Sequence, residues 1–297
     1  MDYAIEVRNL TKRYKDFTLD QVSFALPGGT IMGLIGENGA GKSTLINAIL
    51  GITDSRSDLT AMLGMDVKTH GKLIRQDVAA IFSDSHFDTG LTPKIIGHIL
   101  SKVYPSWDSA LFSSYLERFS LPEKRKIRTF STGMRVKLEF AAALSHHPKL
   151  LILDEATSGL DPVSRDEILD ILREFTEDED HAVLLSSHIT SDLDKVADYI
   201  AFLHKGRMQF VESCDGLRSD YGIITCGQQL FDALSPDDIA AYRKEPYSYR
   251  VLIRNRSKVR RVFQDVAIEN ASIEDIMLFS VKGEKADTDN RKGESVK

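Results

Sequence analysis

The segment Gly36-Glu37-Asn38-Gly39-Ala40-Gly41-Lys42-Ser43 holds the residue types a backbone needs to enclose an anion. Glycines let the chain wrap closely, so that successive N–H groups point inward at a phosphate. The apolar stretch Ile31 to Ile35 precedes this loop, and a helical stretch, Thr44 to Leu50, follows it. The helix would open with its positive end on the phosphates. Lys42 would then reach the β- and γ-phosphates of a nucleotide, and the Ser43 hydroxyl would ligate Mg²⁺. An acidic pair, Asp154-Glu155, ends the apolar run Leu150-Leu151-Ile152-Leu153. The C-terminal end of a buried parallel strand is where α/β folds bind ligands. There Asp154 would hold the metal, directly or through water, and Glu155 would polarise an attacking water. An apolar run ending in acids is common by itself; the glycine loop between a strand and a helix is far rarer.

Phe130-Ser131-Thr132-Gly133-Met134 resembles the signature of ATP-binding-cassette (ABC) ATPases, whose common form is Leu-Ser-Gly-Gly-Gln. It precedes Asp154-Glu155 at that family's spacing. Ser158-Gly159-Leu160-Asp161 resembles the family's D-loop. His188, after Leu184-Leu185-Ser186-Ser187, resembles its switch histidine, and Tyr14 the aromatic that stacks on adenine. Taken singly, His188 would be a structural histidine and Tyr14 a strand or turn aromatic; only the register of the whole set promotes them. His146, His147, His181 and His204 lack such a register and read as surface or packing histidines.

The resemblance implies ATP and Mg²⁺ as cofactors, the whole loop from Gly36 through Thr44 at the nucleotide, and a second ABC subunit, identical or not. Ser131 and Gly133, with Thr132 and Met134 beside them, would meet the γ-phosphate of the nucleotide held by that second subunit. Asp161 would touch the partner near its phosphate loop, and His188 would hydrogen-bond the γ-phosphate. Two departures stand out. Thr132 and Met134 replace the signature's first glycine and its glutamine, as in variants that look like exporters of peptides, antibiotics or lipids. Asp84 falls where the family's Q-loop glutamine stands, and an acid there can ligate Mg²⁺; Ser83 or Ser85 are alternatives for that position.

These groups need a scaffold. Ala4 to Val7 and Phe17 to Phe24 alternate apolar and polar residues, the pattern of antiparallel strands. Leu150 to Leu153 and Ala182 to Leu185 are wholly apolar, as strands of a parallel sheet covered on both faces are. Thr92-Pro93 starts a helix, with Ile95, Ile96, Ile99, Leu100 and Val103 on one face. After Pro105, Ser106 can cap a second helix carrying Leu111, Phe112, Tyr115, Leu116 and Phe119; a third runs from Thr132 to His146. Ile200 to Val211, around Lys205-Gly206, reads as a hairpin.

The expected fold is therefore α/β: a P-loop NTPase (RecA-like) core with an antiparallel β subdomain and an inserted helical subdomain, plus a small C-terminal α/β extension. The expected divisions are 1–86 with 148–214 for the ATPase core, 87–147 for the helical signature subdomain, 215–285 for an accessory domain and 286–297 for a disordered tail. The chain's 297 residues, 42% hydrophobic and 28% charged, suit a globular protein that needs no disulfides. Cys214 and Cys226 show no metal spacing and read as incidental thiols. A net charge of −6 argues against a nucleic-acid partner. No run of 18 apolar residues and no export signal is visible, so a cytoplasmic protein is expected, peripheral on the inner face of the membrane. An integral membrane permease would be the partner, docking near Phe82, His86 and Phe87. Tyr104-Pro105-Ser106-Trp107-Asp108, Ser187 to Leu193 and Ser272 to Leu278 look like the bacterial drug and peptide exporter branch. A non-transport ABC ATPase and an importer ATPase are the alternatives.

Overall fold

The computed structural model describes residues 3–83 and 87–285. Asp84, Ser85, His86 and the 286–297 segment lie outside the described residues, so the expectations placed on them do too. The alternating residues form β1 (Tyr3–Arg13) and β2 (Thr18–Pro27), paired antiparallel from Tyr3↔Pro27 to Arg13↔Thr18. β3 (Ile31–Ile35) is buried along its whole length and feeds the glycine loop into α1 (Lys42–Ile49). β4 (Leu59–Met62) and β5 (Met65–Asp66) complete an antiparallel sheet of order β2-β1-β4-β5. α2 (Val67–Asp77) starts where the Asp66 carboxylate accepts the N–H groups of Lys68 and Thr69, and it delivers β6 (Val78–Phe82).

Three helices follow. α3 (Pro93–Val103) begins as expected, with the Thr92 hydroxyl accepting the Ile95 N–H. Its apolar face is only half used: Ile96 is buried, while Ile95, Ile99 and Val103 are exposed. α4 (Ser109–Arg118) is capped by Asp108, whose carboxylate accepts from Ala110 and Leu111, and not by Ser106. A charged acceptor suits a helix start better than a hydroxyl, and Ser106 instead donates to the His146 carbonyl at 2.6 Å. α5 (Thr132–Leu144) has Ser131 as its N-cap and ends before His146.

β7 (Leu150–Asp154), α6 (Pro162–Thr176), β8 (Ala182–Ser186), α7 (Thr190–Val196), β9 (Tyr199–His204) and β10 (Arg207–Ser213) come next. The second sheet has the order β10-β9-β3-β8-β7-β6, with every pairing from β9 to β6 parallel. β8 therefore lies between β3 and β7. The segment after β8 emerges between the glycine loop and Asp154-Glu155. One apolar core joins the two sheets through α1, with Ile5, Leu26, Met32, Leu45, Ile152 and Leu184 all in it.

The chain divides between Val211 and Glu212 into two compact units. The second holds α8 (Cys214–Asp220), β11 (Gly222–Cys226), α9 (Gln228–Ala233), β12 (Ile239–Lys244), β13 (Tyr249–Ile253), α10 (Arg256–Val262), β14 (Glu269–Asn270) and α11 (Ile273–Lys282). Its sheet runs β12-β13-β11-β14, and its core is built on Ile224, Phe231, Val251, Ile253 and Val259. The Phe231 and Tyr249 rings stack at 4.1 Å. α11 opens with a capping box between Ser272 and Asp275. Cys214 and Cys226 are both buried thiols outside any disulfide, and burial pushes the Cys226 thiol pKa up.

Candidate active site

The glycine loop is braced on two sides. A Cβ on Gly36 would lie 2.3 Å from the Leu203 carbonyl oxygen, and one on Gly41, at φ +108, would lie 2.5 Å from the Phe17 ring. Only glycine fits either place. The Lys205-Gly206 turn, with both residues at positive φ, joins β9 to β10. Its Gly206 N–H donates to the Ala40 carbonyl at 3.0 Å, and its Gly206 carbonyl accepts from Asp20 at 2.8 Å. The loop is thus held between β2 and the β9–β10 hairpin.

α1 begins with no side-chain cap and no acid in its first turn, which leaves its first N–H groups to a ligand. Lys42 is only 5% exposed; its Nζ donates to the Gly36 carbonyl at 2.8 Å and sits 3.4 Å from Glu155 Oε1. A cleft of about 640 Å³ opens here, lined by Tyr14, Asn38, Gly39, Gly41, Lys42, Ser43, Thr44 and Glu155. Asp16 and Phe17 line it as well; sequence reasoning named no role for Asp16. Tyr14 is half exposed, and the Lys12 ammonium lies 5.2 Å from its ring centroid. A buried ammonium, an uncapped helix start and loop positions that exclude any Cβ together fit a polyphosphate.

The acidic end adjoins this cleft through Glu155. Asp154, at the end of β7, is buried, and its Oδ1 accepts from the Ser186 hydroxyl at 2.6 Å. Glu155 sits at φ +53, a left-handed conformation that costs energy outside glycine. Its N–H is shared between the Ser186 carbonyl at 3.2 Å and the Ser186 Oγ at 3.1 Å. Its carbonyl accepts the Ser158 hydroxyl at 2.7 Å. The Glu155 carboxylate therefore spans Lys42 and His188, whose Nδ1 lies 3.0 Å from Oε2. A hydroxyl and a carboxylate, Ser43 and Asp154, are the hard oxygen donors that suit Mg²⁺.

The signature lies elsewhere. Ser131 Oγ accepts the Met134 N–H at 3.2 Å and so caps α5. A Cβ on Gly133 would meet Leu160 at 3.6 Å, and one on Gly159 would meet Thr132 at 4.0 Å, so the signature packs beside the D-loop. The Asp161 carboxylate caps α6, accepting from Val163 and Ser164. The Ser164 N–H, its hydroxyl and the Val163 N–H hold the Asp161 pKa below the usual carboxylate range. None of Ser131, Thr132, Gly133, Met134 or Asp161 lines the cleft. Of the remaining histidines, His181 stacks on Phe175 and His146 on Tyr104, both in packing roles. Burial pushes the His146 pKa down.

Sequence reasoning passed over Ser186 and Gly206. The signal for Ser186 was a polar residue ending an apolar strand; for Gly206 it was a turn that only glycine suits.

A parallel sheet with a braced glycine loop after a central strand, β3, and acids after β7, two places along the same sheet, defines the class: a P-loop ATPase. The family model described as ABC transporter matches residues 19–158. The chain is 29% identical over 265 residues to the ABC transporter ATP-binding protein YtrB of Bacillus subtilis, covering 87% of this chain and 89% of YtrB. It is 34% identical over 211 residues to the bacitracin transport ATP-binding protein BcrA of Enterococcus faecalis, covering 70% and 68%. A solved ATP-binding subunit of an ABC transporter superposes with a TM-score of 0.66 at 27% identity, covering 72% of this chain and 92% of that one. The chain belongs to the ABC transporter family, as an ATP-binding and ATP-hydrolysing subunit. Among the described residues no helix is long and apolar enough to cross a membrane.

Proposed function

We propose that this chain powers export of a peptide, antibiotic or lipid-like substrate through a separate membrane subunit, working as one of a head-to-tail pair with ATP between them. The observation that carries the pairing is one-sidedness: the cleft gathers Lys42, Ser43 and Glu155 but leaves the start of α5 outside it. A facing copy's α5 N-terminus, with Ser131 and Gly133, would complete the positive lining around the γ-phosphate. Lys42 exchanges its contact with Glu155 for the phosphates. Freed from Lys42, Glu155 accepts a hydrogen bond from the attacking water, and His188 holds the γ-phosphate geometry. Mg²⁺, held by Ser43 and Asp154, would neutralise charge on the β- and γ-phosphate oxygens. Asp84 is a further metal-ligand candidate, checked by the Mg²⁺ dependence of Asp84→Asn.

The exporter reading rests on the signature variant Thr132 and Met134, and on the bacitracin transport role in BcrA's name. The membrane subunit would dock at the inner face of the cell membrane on α3 and Phe82-to-Phe87. Ile95, Ile99 and Val103 stand exposed there, and Phe82 and Phe87 line a cavity of about 300 Å³ with Leu100 and Tyr104. In this reading 1–86 and 148–214 form the ATPase core, 87–147 the signature subdomain and 215–285 an accessory domain.

The test mixes Lys42→Ala with Ser131→Ala protein, each inactive alone. The mixed pair has one doubly defective and one intact site, so ATPase activity partly returns. A monomer hydrolysing ATP at a rate per molecule independent of protein concentration would sink the shared site.

A further inference from the structure

Ser186 ends β8 with no exposed surface, and its Cα is in register with Asp154 on the neighbouring strand. A serine hydroxyl has one proton to give and lone pairs to receive. Here both capacities are committed. The Glu155 N–H is a donor, so it can only be received by Oγ, at 3.1 Å. The hydroxyl proton then goes to Asp154 Oδ1, at 2.6 Å. The second hold on Glu155 is the Ser186 carbonyl, at 3.2 Å. One buried side chain therefore ties the two consecutive acids together across the strand boundary. It does so at the residue whose backbone is left-handed, φ +53.

We propose that Ser186 is a positioning residue that couples the two acids. Its hydroxyl fixes the rotation of the Asp154 carboxylate for the metal while pinning the strained Glu155 backbone, so that Glu155 faces Lys42 and His188. The inference rests on the reading of Asp154 as a metal ligand, and it adds a hydrogen-bond partner behind that ligand. Without the hydroxyl, Asp154 loses its donor and can rotate, and the Glu155 N–H loses one of its two acceptors and keeps only the Ser186 carbonyl. Partners of this kind, standing behind a ligand, typically govern metal affinity by about 10- to 100-fold. A cap or packing role alone would leave metal affinity untouched.

The test uses the full chain and two probes. The first is Mn²⁺ binding by electron paramagnetic resonance in the presence of a non-hydrolysable ATP analogue. The second is ATP-analogue affinity measured in EDTA. Ser186→Ala should weaken Mn²⁺ binding by roughly 10-fold or more, lower turnover, and leave metal-free nucleotide affinity unchanged. Ser186→Thr, which keeps the hydroxyl, should restore both. Unchanged Mn²⁺ affinity in Ser186→Ala overturns the proposal, whatever happens to turnover. If the alanine variant does not fold, Ser186→Cys carries the same test, since a thiol is a weak donor of similar shape. Asp154→Asn separates the two levels. If it leaves Mn²⁺ affinity unchanged, the metal reading itself fails; if it weakens binding while Ser186→Ala does not, only the bridge fails.

Discussion

The phosphate loop and the signature are both helix N-termini, yet the molecule treats them in opposite ways. α1 opens without a side-chain cap, behind a loop braced by Leu203, Phe17 and Gly206, with its lysine buried against a carboxylate. α5 opens with its own cap, Ser131, exposed and outside the cleft. The first end is tightly packed and opens uncapped into the chain's own cleft. The second is satisfied locally by Ser131 and stands in solvent, where the proposed facing subunit would bring its ligand. In the first, stability and the proposed function draw on the same groups: Lys42 and Glu155 hold each other at 3.4 Å, and in the proposed cycle nucleotide would separate them. In the second they coexist, since the Ser131 cap costs the helix nothing while it waits.

The sharpest break in that comparison is Glu155→Gln. The amide keeps the shape but cannot polarise water as a carboxylate does, so turnover should fall by about 10²- to 10⁴-fold. ATP binding should survive, and an ATP-trapped dimer should appear in light scattering; a variant with wild-type turnover would remove Glu155 from the chemistry. Next comes the brace. Gly36→Ala places a methyl 2.3 Å from the Leu203 carbonyl, so strain of about 1–3 kcal/mol is expected. Both thermal stability and nucleotide affinity should drop. Gly133→Ala at the signature, 3.6 Å from Leu160, meets only ordinary contact and should leave stability near wild type. Equal melting temperatures for the two would show that the loops do not differ in rigidity.

Tyr14→Ala acts on affinity alone. Ring-on-base stacking is worth about 1–3 kcal/mol, so a fluorescent ATP analogue should bind correspondingly weaker while the fold is unchanged. An unchanged dissociation constant would pass the base to Phe17, which lines the same cleft. The smallest effect belongs to the capped helix beside the signature. Asp161 has a pKa held below its ordinary 3.8 by N–H donors. Its stabilising contribution is complete above the unfolded value and is lost as pH falls through the lower native value. Asp161→Asn caps without titrating, so it should flatten the acid limb of a melting-temperature profile slightly. An unaltered limb would mean that the cap does not report on folding.

The glycine loop was legible because its geometry is local: glycines between an apolar strand and a helix start are neighbours in sequence. The α3 stripe was legible as helix but not as surface. Ile95, Ile99 and Val103 share a period with Ile96 and Leu100, yet only packing decides which of them meet the core. Ser106 and Asp108 were both competent caps, and the contact with the His146 carbonyl drew one of them away. β4 and β5 are too short for a period to show, and in α2 only Val67 and Ile74 are buried, too few to mark a stripe.

By itself, then, the amino-acid order determined the helix starts at Thr92-Pro93 and Ser131, the apolar strands β3, β7 and β8, and the glycine-loop residues of the cleft. Each depends on propensity, burial or backbone freedom within a few positions of the chain. The tertiary structure alone decided that Ser186 reaches Asp154 and Glu155, that Gly206 bonds Ala40, and that the signature stands outside the cleft. Those contacts join residues far apart in sequence, and their partners are set by strand order: with β8 seated between β3 and β7, one serine comes into register with an acid thirty-two residues away.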